Sequence, residues 1–267
     1  MGQPPKTGTP VQHIPTQDAY DQWAAVYDTD GNMLQSIDDV ELSTLLPSFI
    51  SSVLSSRPSS SSSVSLLDLG CGTGRNTAKL LQYSWPRDRA IDITGLDFSK
   101  GMLEVAGKKL APLKSEGIGL SLAQADCFPT VANKSASPLP EVQDLSPVDG
   151  VISTLVLEHI PVQDYFSTLA SLVQTGGYAL VTNMHSEMGN ISQAGFVNEQ
   201  GVKVRGDSFA HTVEESAEEA KRAGFEVLKT KERSVEDIDV KEGRVGERGK
   251  KWIGIRVWYA LELRKVA

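Results

Sequence analysis

The stretch 66-LLDLGCGTGRNTAKLL-81 sets three glycines at alternate positions between an apolar run and a helical pattern. Gly70, Gly72 and Gly74 lack a Cβ, so a ligand can touch bare peptide where the run ends. The run reads as a strand and the segment after it as a helix, a β-α unit whose ligand lies outside the carboxyl end of the strand. A dinucleotide fingerprint wants its third glycine one position later than Gly74, where this chain has Arg75. Asp68, just before the turn, repels a pyrophosphate and attracts a ligand carrying an ammonium and a sulfonium. The stretch therefore suits a cationic nucleoside.

The same rhythm continues downstream. Strands are predicted near 64–69, 90–96, 118–123, 149–154 and 177–183, and helices near 74–83, 99–113 and 162–174. Short apolar runs alternating with helical patterns give an α/β fold on a parallel sheet. Ser99 can cap the second of these helices and Pro161 presets the first turn of the third. The segment 128–147 carries four prolines and is too long for an ordinary connection, so it reads as a surface insertion or lid. A hairpin pattern covers 194–211, helix 213–223 ends at Gly224, and a strand follows over 225–231. The charged, glycine-rich 241–251 reads as an exposed loop before a last strand over 251–263.

Upstream, residues 1–15 hold four prolines and no periodicity, the pattern of a disordered arm. In 16-TQDAYDQWAAVYD-28, Tyr20, Trp23, Ala24 and Tyr27 share one face of a short helix that Thr16 can cap. The segment 36-SIDD-39 resembles a capping box opening a second helix, and 55-SSRPSSSSS-63 reads as a flexible tether. The division expected is an arm, a helical cap with its tether over 16–63, and one α/β domain over 64–267.

Composition narrows the partners. A net charge of −8 is the wrong sign for holding a phosphate backbone, so nucleic acid is not the expected substrate. No apolar run reaches the length of a membrane span. Two cysteines are too few for a disulfide framework and the N-terminus lacks an apolar signal core, so the expected compartment is the cytoplasm.

The motif LLDLGCGTGRNT resembles motif I of the class I S-adenosylmethionine-dependent methyltransferases. Three further matches follow in order: 95-GLDFSKGMLEVA-106, 123-AQADCF-128, and 148-VDGVISTLVLEHIP-161 with the strand 176-GGYALVTN-183. The resemblance implies a Rossmann-like fold with a mostly parallel seven-stranded sheet, one antiparallel C-terminal strand and N-terminal helices. It implies S-adenosylmethionine as cofactor and S-adenosylhomocysteine as product. Asp97 would bind the ribose hydroxyls, Asp126 the adenine amino group, and Phe98, Met102 and Cys127 would line the adenine. Asp68 would reach the methionine ammonium through water. Cys71, Asn76 and Thr154, within or beside these motifs, complete the expected cofactor set with Gly70, Gly72 and Gly74. The pattern 19-AYDQWAAVYD-28 resembles the entry helix of ubiquinone/menaquinone-type methyltransferases, so Tyr20, Trp23 and Tyr27 would roof the site.

Methyl transfer is an in-line displacement, and a base is needed only when the nucleophile still holds its proton. His159, His185 and His211 follow predicted strands or precede the late helix and are the candidate bases. Met184, Phe196 and Phe209 could wall an apolar pocket. The absence of an Asn/Asp-Pro-Pro-aromatic motif at 153–159 separates the chain from nucleic-acid amine methyltransferases. No convergent carboxylates beyond the cofactor motifs suggest a metal. The reading is O-methylation of a small aromatic or hydrophobic secondary metabolite by a monomer or homodimer, resembling enzymes that tailor fungal natural products. The alternatives are N- or C-methylation, methylation of a protein, a cofactor-binding subunit without turnover, and an NAD-dependent oxidoreductase.

Overall fold

The protein is described by a computed structural model for residues 10–57, 63–130 and 133–267. Ten strands run in chain order: β1 (Val11–His13), β2 (Ser63–Leu69), β3 (Ala90–Asp97), β4 (Ile118–Gln124), β5 (Val148–Thr154), β6 (Val173–Met184), β7 (Phe196–Val197), β8 (Lys203–Arg205), β9 (Phe225–Ser234) and β10 (Arg256–Lys265). The helices are α1 (Thr16–Trp23), α2 (Met33–Ser56), α3 (Arg75–Leu81), α4 (Lys100–Leu110), α5 (Pro138–Glu141), α6 (Val162–Leu172), α7 (Ser186–Ile191), α8 (Val213–Arg222) and α9 (Asp237–Lys241).

Seven strands form the main sheet in the order β4-β3-β2-β5-β6-β10-β9. The first five pair in parallel, and β10 runs antiparallel to both of its neighbours. This is the α/β architecture expected, with β10 as the antiparallel strand. Chain order reverses across β2 and β5, which pair through Leu66–Asp68 and Gly150–Ile152. A crevice therefore opens outside the carboxyl ends of these two strands.

Apolar side chains fill both faces of the sheet. On one, Phe49, Ile50 and Val53 of α2 pack with Leu66, Ile93, Leu180 and Trp258. On the other, Leu67, Val151, Tyr165, Phe166, Leu169 and Leu261 form a second core. Each such buried side chain contributes roughly 1.5–3 kcal/mol. Several local signals act as anticipated: Ser99 Oγ accepts from Met102 N at 3.1 Å, and Gly224 takes a φ of +91° after α8. Asn198–Gly201 turns the β7–β8 hairpin.

Five expectations are corrected. Val11–His13, within the supposed disordered arm, pairs in parallel with β8, because the hairpin leaves that edge free; residues 1–9 lie outside the described residues. The second helix starts at Met33, capped by Asn32 rather than Ser36. That helix is part of the sheet's own core rather than a cap, since its 24 residues carry an apolar stripe from Met33 to Val53. Thr16 Oγ1 accepts from Asp207 N instead of capping α1, which starts after Pro15. The loop 241–251 is not simply exposed, because Val245 and Gly249 are buried and it ends in a 3₁₀ turn that inserts Trp252 into the core. Most of the serine tether, 58–62, falls outside the described residues. The segment 128–147 carries α5, which sets Glu141 beside Asp126.

Candidate active site

At the end of β2 the chain turns sharply, and Gly70, Gly72 and Gly74 all adopt positive φ, between +53° and +77°. Their reasons differ. A Cβ on Gly70 would stand 2.3 Å from Val156 Cγ2, and one on Gly74 would stand 2.9 Å from Leu110 Cδ1, so these two pack against protein. Nothing lies within 4 Å of a Cβ on Gly72. Gly72 is thus the position where bare peptide faces open space.

Asp97 ends β3 and reaches across to this turn, accepting from Gly72 N at 2.8 Å and Ser99 N at 2.9 Å. Asp68 accepts from Thr77 Oγ1 at 2.6 Å, while its other oxygen is buried with no partner. Burial holds both carboxyls up, to about 6 in each case, against hydrogen bonds that pull them down. Two acids that resist ionisation beside the open backbone of Gly72 form a place where a cation is welcome.

Helix α1 and the turns after it lie across this cradle, tied down at several points. Gln17 Nε2 donates to Phe98 O at 2.8 Å, and Asp21 accepts from Ser99 Oγ and Gly101 N. Asp28 accepts from Thr73 Oγ1 at 2.6 Å and Lys109 Nζ at 2.5 Å. Beneath α1, Met102 packs with Trp23 and Ala24. Toward β4, a cavity of about 290 Å³ is lined by Gln17, Phe98, Gln124, Ala125, Asp126, Glu141 and Val142. Asp126 is raised there by burial and by Glu141.

A larger cavity of about 500 Å³ opens on the other side of α1. Tyr20, Trp23 and Tyr27 form its roof, Leu155, Met184 and Met188 its apolar wall, and Phe196 stacks on Trp23 at 5.4 Å. Glu158 reaches this cavity from the turn after β5, held by Asn183 Oδ1, which accepts its backbone N–H at 2.9 Å. Its Oε2 is buried without a partner, and burial alone pushes the carboxyl up to about 8.

Of the three candidate histidines, His159 meets the cavity wall through Tyr20. Its Nδ1 lies 2.7 Å from the carbonyl of Asp207 and so carries the proton, which leaves Nε2 to accept from the Tyr20 hydroxyl at 2.7 Å. Burial lowers this imidazole and raises the Tyr20 phenol. His185 and His211 are not in the cavity lining. His185 caps α7 and contacts Glu232 at 3.0 Å, while His211 contacts Ile160 O at 2.9 Å and stacks on Phe209.

The sequence-predicted cofactor residues cluster at the strand ends, with different exposures to the crevice. Asn76 and Thr154 hydrogen-bond each other at 2.8 Å, Cys71 is packed beside Gly95, and Cys127 is buried near Phe128. Sequence reasoning passed over Glu158, although an acid inside the apolar run 155-LVLEHIP-161 is the kind of residue that burial perturbs. The residues present fit S-adenosylmethionine: Gly72 offers open backbone, Asp97 a carboxylate at a strand end, and Asp68 an orphaned oxygen for a positive charge. Among the described residues no three His, Cys, Asp or Glu side chains are grouped to hold a metal ion, and no helix is long and apolar enough to cross a membrane.

The sequence pattern of the methyltransferase domain family matches residues 67–181. An uncharacterized methyltransferase of Emericella nidulans is 42% identical over 272 residues, covering 95% of this chain and 92% of that protein. Among solved structures, magnesium protoporphyrin IX methyltransferase from Synechocystis PCC 6803 with bound S-adenosylhomocysteine is 15% identical with a TM-score of 0.55, covering 94% of this chain and 95% of that one. A putative sarcosine dimethylglycine methyltransferase from Galdieria sulphuraria has the same identity and TM-score, covering 93% of this chain and 98% of that one.

Proposed function

The chain belongs to the class I S-adenosylmethionine-dependent methyltransferases, and from that premise we propose that it methylates a hydroxyl of a small, largely apolar acceptor held against Glu158. The observation that carries this reading is a buried carboxyl oxygen without a partner in the aromatic-walled cavity beside the cofactor crevice. The cavity's apolar and aromatic lining favours a hydrophobic secondary metabolite over a sugar or peptide. Both cysteines are free and buried, in keeping with a reducing compartment such as the cytoplasm.

When bound, S-adenosylmethionine supplies an electrophilic methyl on positively charged sulfur. The Asp97 carboxylate would accept from both ribose hydroxyls, two charge-assisted bonds. Asp126 would accept from the adenine amino group, with Phe98 and Met102 about the base. Asp68 would favour the methionine ammonium, and the Gly72 backbone would line its path. Tyr20 and Tyr27 would roof the methionine portion. Gly70, Gly74, Cys71, Asn76, Thr154 and Cys127 would keep this cradle in shape from behind.

Glu158 would take the proton of the acceptor hydroxyl as the oxygen attacks. A carboxyl raised to about 8 is a stronger base than an ordinary one once ionised, and a neighbouring positive charge favours that ionised form. Tyr20 donates to His159, which directs the remaining lone pairs of its oxygen away from the imidazole and toward the acceptor. His159 then acts through Tyr20 as a positioning residue. His185 and His211 are assigned to holding α7 and the approach to α8. The roof excludes water, which strengthens each of these contacts.

The test is transfer of labelled methyl from S-adenosylmethionine to an extract of small aromatic metabolites, with the labelled product fragmented in a mass spectrometer. Label on oxygen, lost in Glu158→Gln, supports the reading. Label on nitrogen or carbon, or undiminished transfer by that variant, overturns it.

A further inference from the structure

Three cations line the larger cavity and a fourth adjoins them. Lys203 on β8 and Arg248 and Lys251 on the 3₁₀ turn Glu247–Trp252 line it, and Arg205 lies next to Lys203. Acids outnumber bases in this chain, 34 to 26, so a cation finds an acidic neighbour readily. Arg57, Arg75, Lys79, Lys109, Arg233, Arg244, Lys250 and Arg256 all do. Among the described residues none of Lys203, Arg205, Arg248 and Lys251 is in an ion pair. The Nε of Arg205 is buried without a partner. Burial lowers the Lys203 ammonium, and repulsion from Arg205 and Lys251 lowers it further.

Among the described residues two acids line the same cavity. Burial holds the Asp30 carboxyl up, against hydrogen bonds that it accepts from Trp23 Nε1 at 2.8 Å and Asn32 N at 3.0 Å and against the charge of Arg248. Glu158 is 3% exposed, in the buried part of the lining, whereas Arg248 and Lys251 are exposed. Cationic groups held close together without counter-charge repel one another, and an oxyanion entering among them relieves that repulsion while accepting several charge-assisted hydrogen bonds.

We propose that the acceptor is an amphipathic anion: an apolar, ring-bearing body with an oxyacid group that Lys203, Arg248 and Lys251 grip, and a hydroxyl at its far end beside Glu158. This deepens the preceding section's reading and rests on its assignment of the cavity to the acceptor. The oxyacid is a recognition handle and not the methylated group, because Arg248 and Lys251, which hold it, are exposed whereas Glu158 is buried. The hairpin and the 241–251 loop thereby become the parts that choose the acceptor.

The probes are 1-anilinonaphthalene-8-sulfonate and N-phenyl-1-naphthylamine, which share a ring body and differ by one sulfonate. Fluorescence titration should give the sulfonate on the order of tenfold tighter binding, with the difference shrinking as salt rises. The double variant Lys203→Met, Arg248→Met should weaken the sulfonate on the order of tenfold and the neutral dye less than about twofold. Lys108→Met, an exposed cation elsewhere, should change neither. Equal affinities for the two dyes, or equal losses in the double variant, overturn the proposal. Displacement by 1-naphthoate or by 1-naphthyl phosphate separates a carboxylate site from a phosphate site, and either outcome supports an oxyanion handle, while displacement by neither overturns it. Methyl transfer by Glu158→Gln and dye binding by the parent protein are separate readouts, so a failure of the acceptor reading, seen in the first, is distinct from a failure of the anion site, seen in the second.

Discussion

The two sides of the crevice are assembled differently. On the cofactor side, the Gly70–Gly74 turn, Asp97, Ser99 and Asp126 come from three successive strand ends, β2, β3 and β4, each followed in the chain by the residues that complete it. On the side proposed for the acceptor, one wall comes from α1 near the N-terminus, another from the turn after β5, a third from the hairpin at 194–205 and a fourth from the 3₁₀ turn at Glu247–Trp252. The first side is held by the sheet itself. The second exists only when segments more than 200 residues apart meet, so its shape can vary without disturbing the strands that carry the cofactor.

The largest effect should fall on the cofactor side alone. Asp97→Asn keeps the side chain's shape and removes its charge, so the dissociation constant for S-adenosylhomocysteine should rise on the order of a hundredfold by calorimetric titration. Dye binding in the acceptor cavity should stay unchanged. A loss of both would mean that the two sides are one cooperative unit and the contrast drawn here is false.

The mirror experiment is Glu158→Gln. Methyl transfer should drop about a hundredfold or more, with S-adenosylhomocysteine affinity held within about twofold. Stability supplies an independent readout. The Glu158 carboxyl titrates near 8 in the folded chain against 4.5 as a free side chain, so between these values the unfolded chain has released a proton that the folded chain retains. Wild-type stability should therefore fall as pH rises through that window. Asp68 and Asp97, at about 6, add to the fall over its lower part. Glu158→Gln should flatten the upper part and melt higher than wild type at pH 9. Parallel melting curves across pH 6 to 9 would show that Glu158 is solvated in solution.

Legibility follows the same division. The glycine turn and Asp97 are legible because they stand in motifs that follow one another in a recognisable order, and the Ser99 cap and the Gly224 terminus because each depends on residues a few positions away. Seven strands and their alternation were visible for the same reason. Glu158 looked like part of an ordinary turn because its burial comes from Tyr20 and Asn183, distant in sequence. The 241–251 loop looked solvent-exposed because its charges outnumber its anchors, Val245 and Trp252, whose burial depends on contacts with α2 and β10. His185 and His211 carry the side-chain chemistry expected of a base, and their partners Glu232 and Ile160 lie too far away in sequence to be foreseen.

Tyr20 stands between the two sides and should show an intermediate effect. Tyr20→Phe removes the hydroxyl that donates to His159 and leaves the aromatic roof, so methyl transfer should fall about tenfold while cofactor affinity changes little. The neutral imidazole then loses its partner and should titrate in a shifted range, visible in the proton spectrum of the His159 ring. An unchanged ring signal would place the Tyr20–His159 contact outside the solution structure.

The smallest effect belongs to the clasp between α1's following turns and the cofactor cradle. Asp28 joins Thr73 of the glycine turn to Lys109 of α4, and both members of the ion pair are about 31% exposed, so solvent screens it heavily. Asp28→Asn retains an acceptor for Thr73 and loses the charge. A partly exposed pair of this kind is worth about 0–1 kcal/mol, which limits the change in S-adenosylhomocysteine affinity to about fivefold. Added salt should weaken the parent toward the variant, because screening removes from the parent what the substitution has already removed from the variant. If the variant instead loses affinity as severely as Asp97→Asn, closure of α1 over the cradle is a condition of binding rather than its consequence, and the roof belongs with the cofactor side of the comparison.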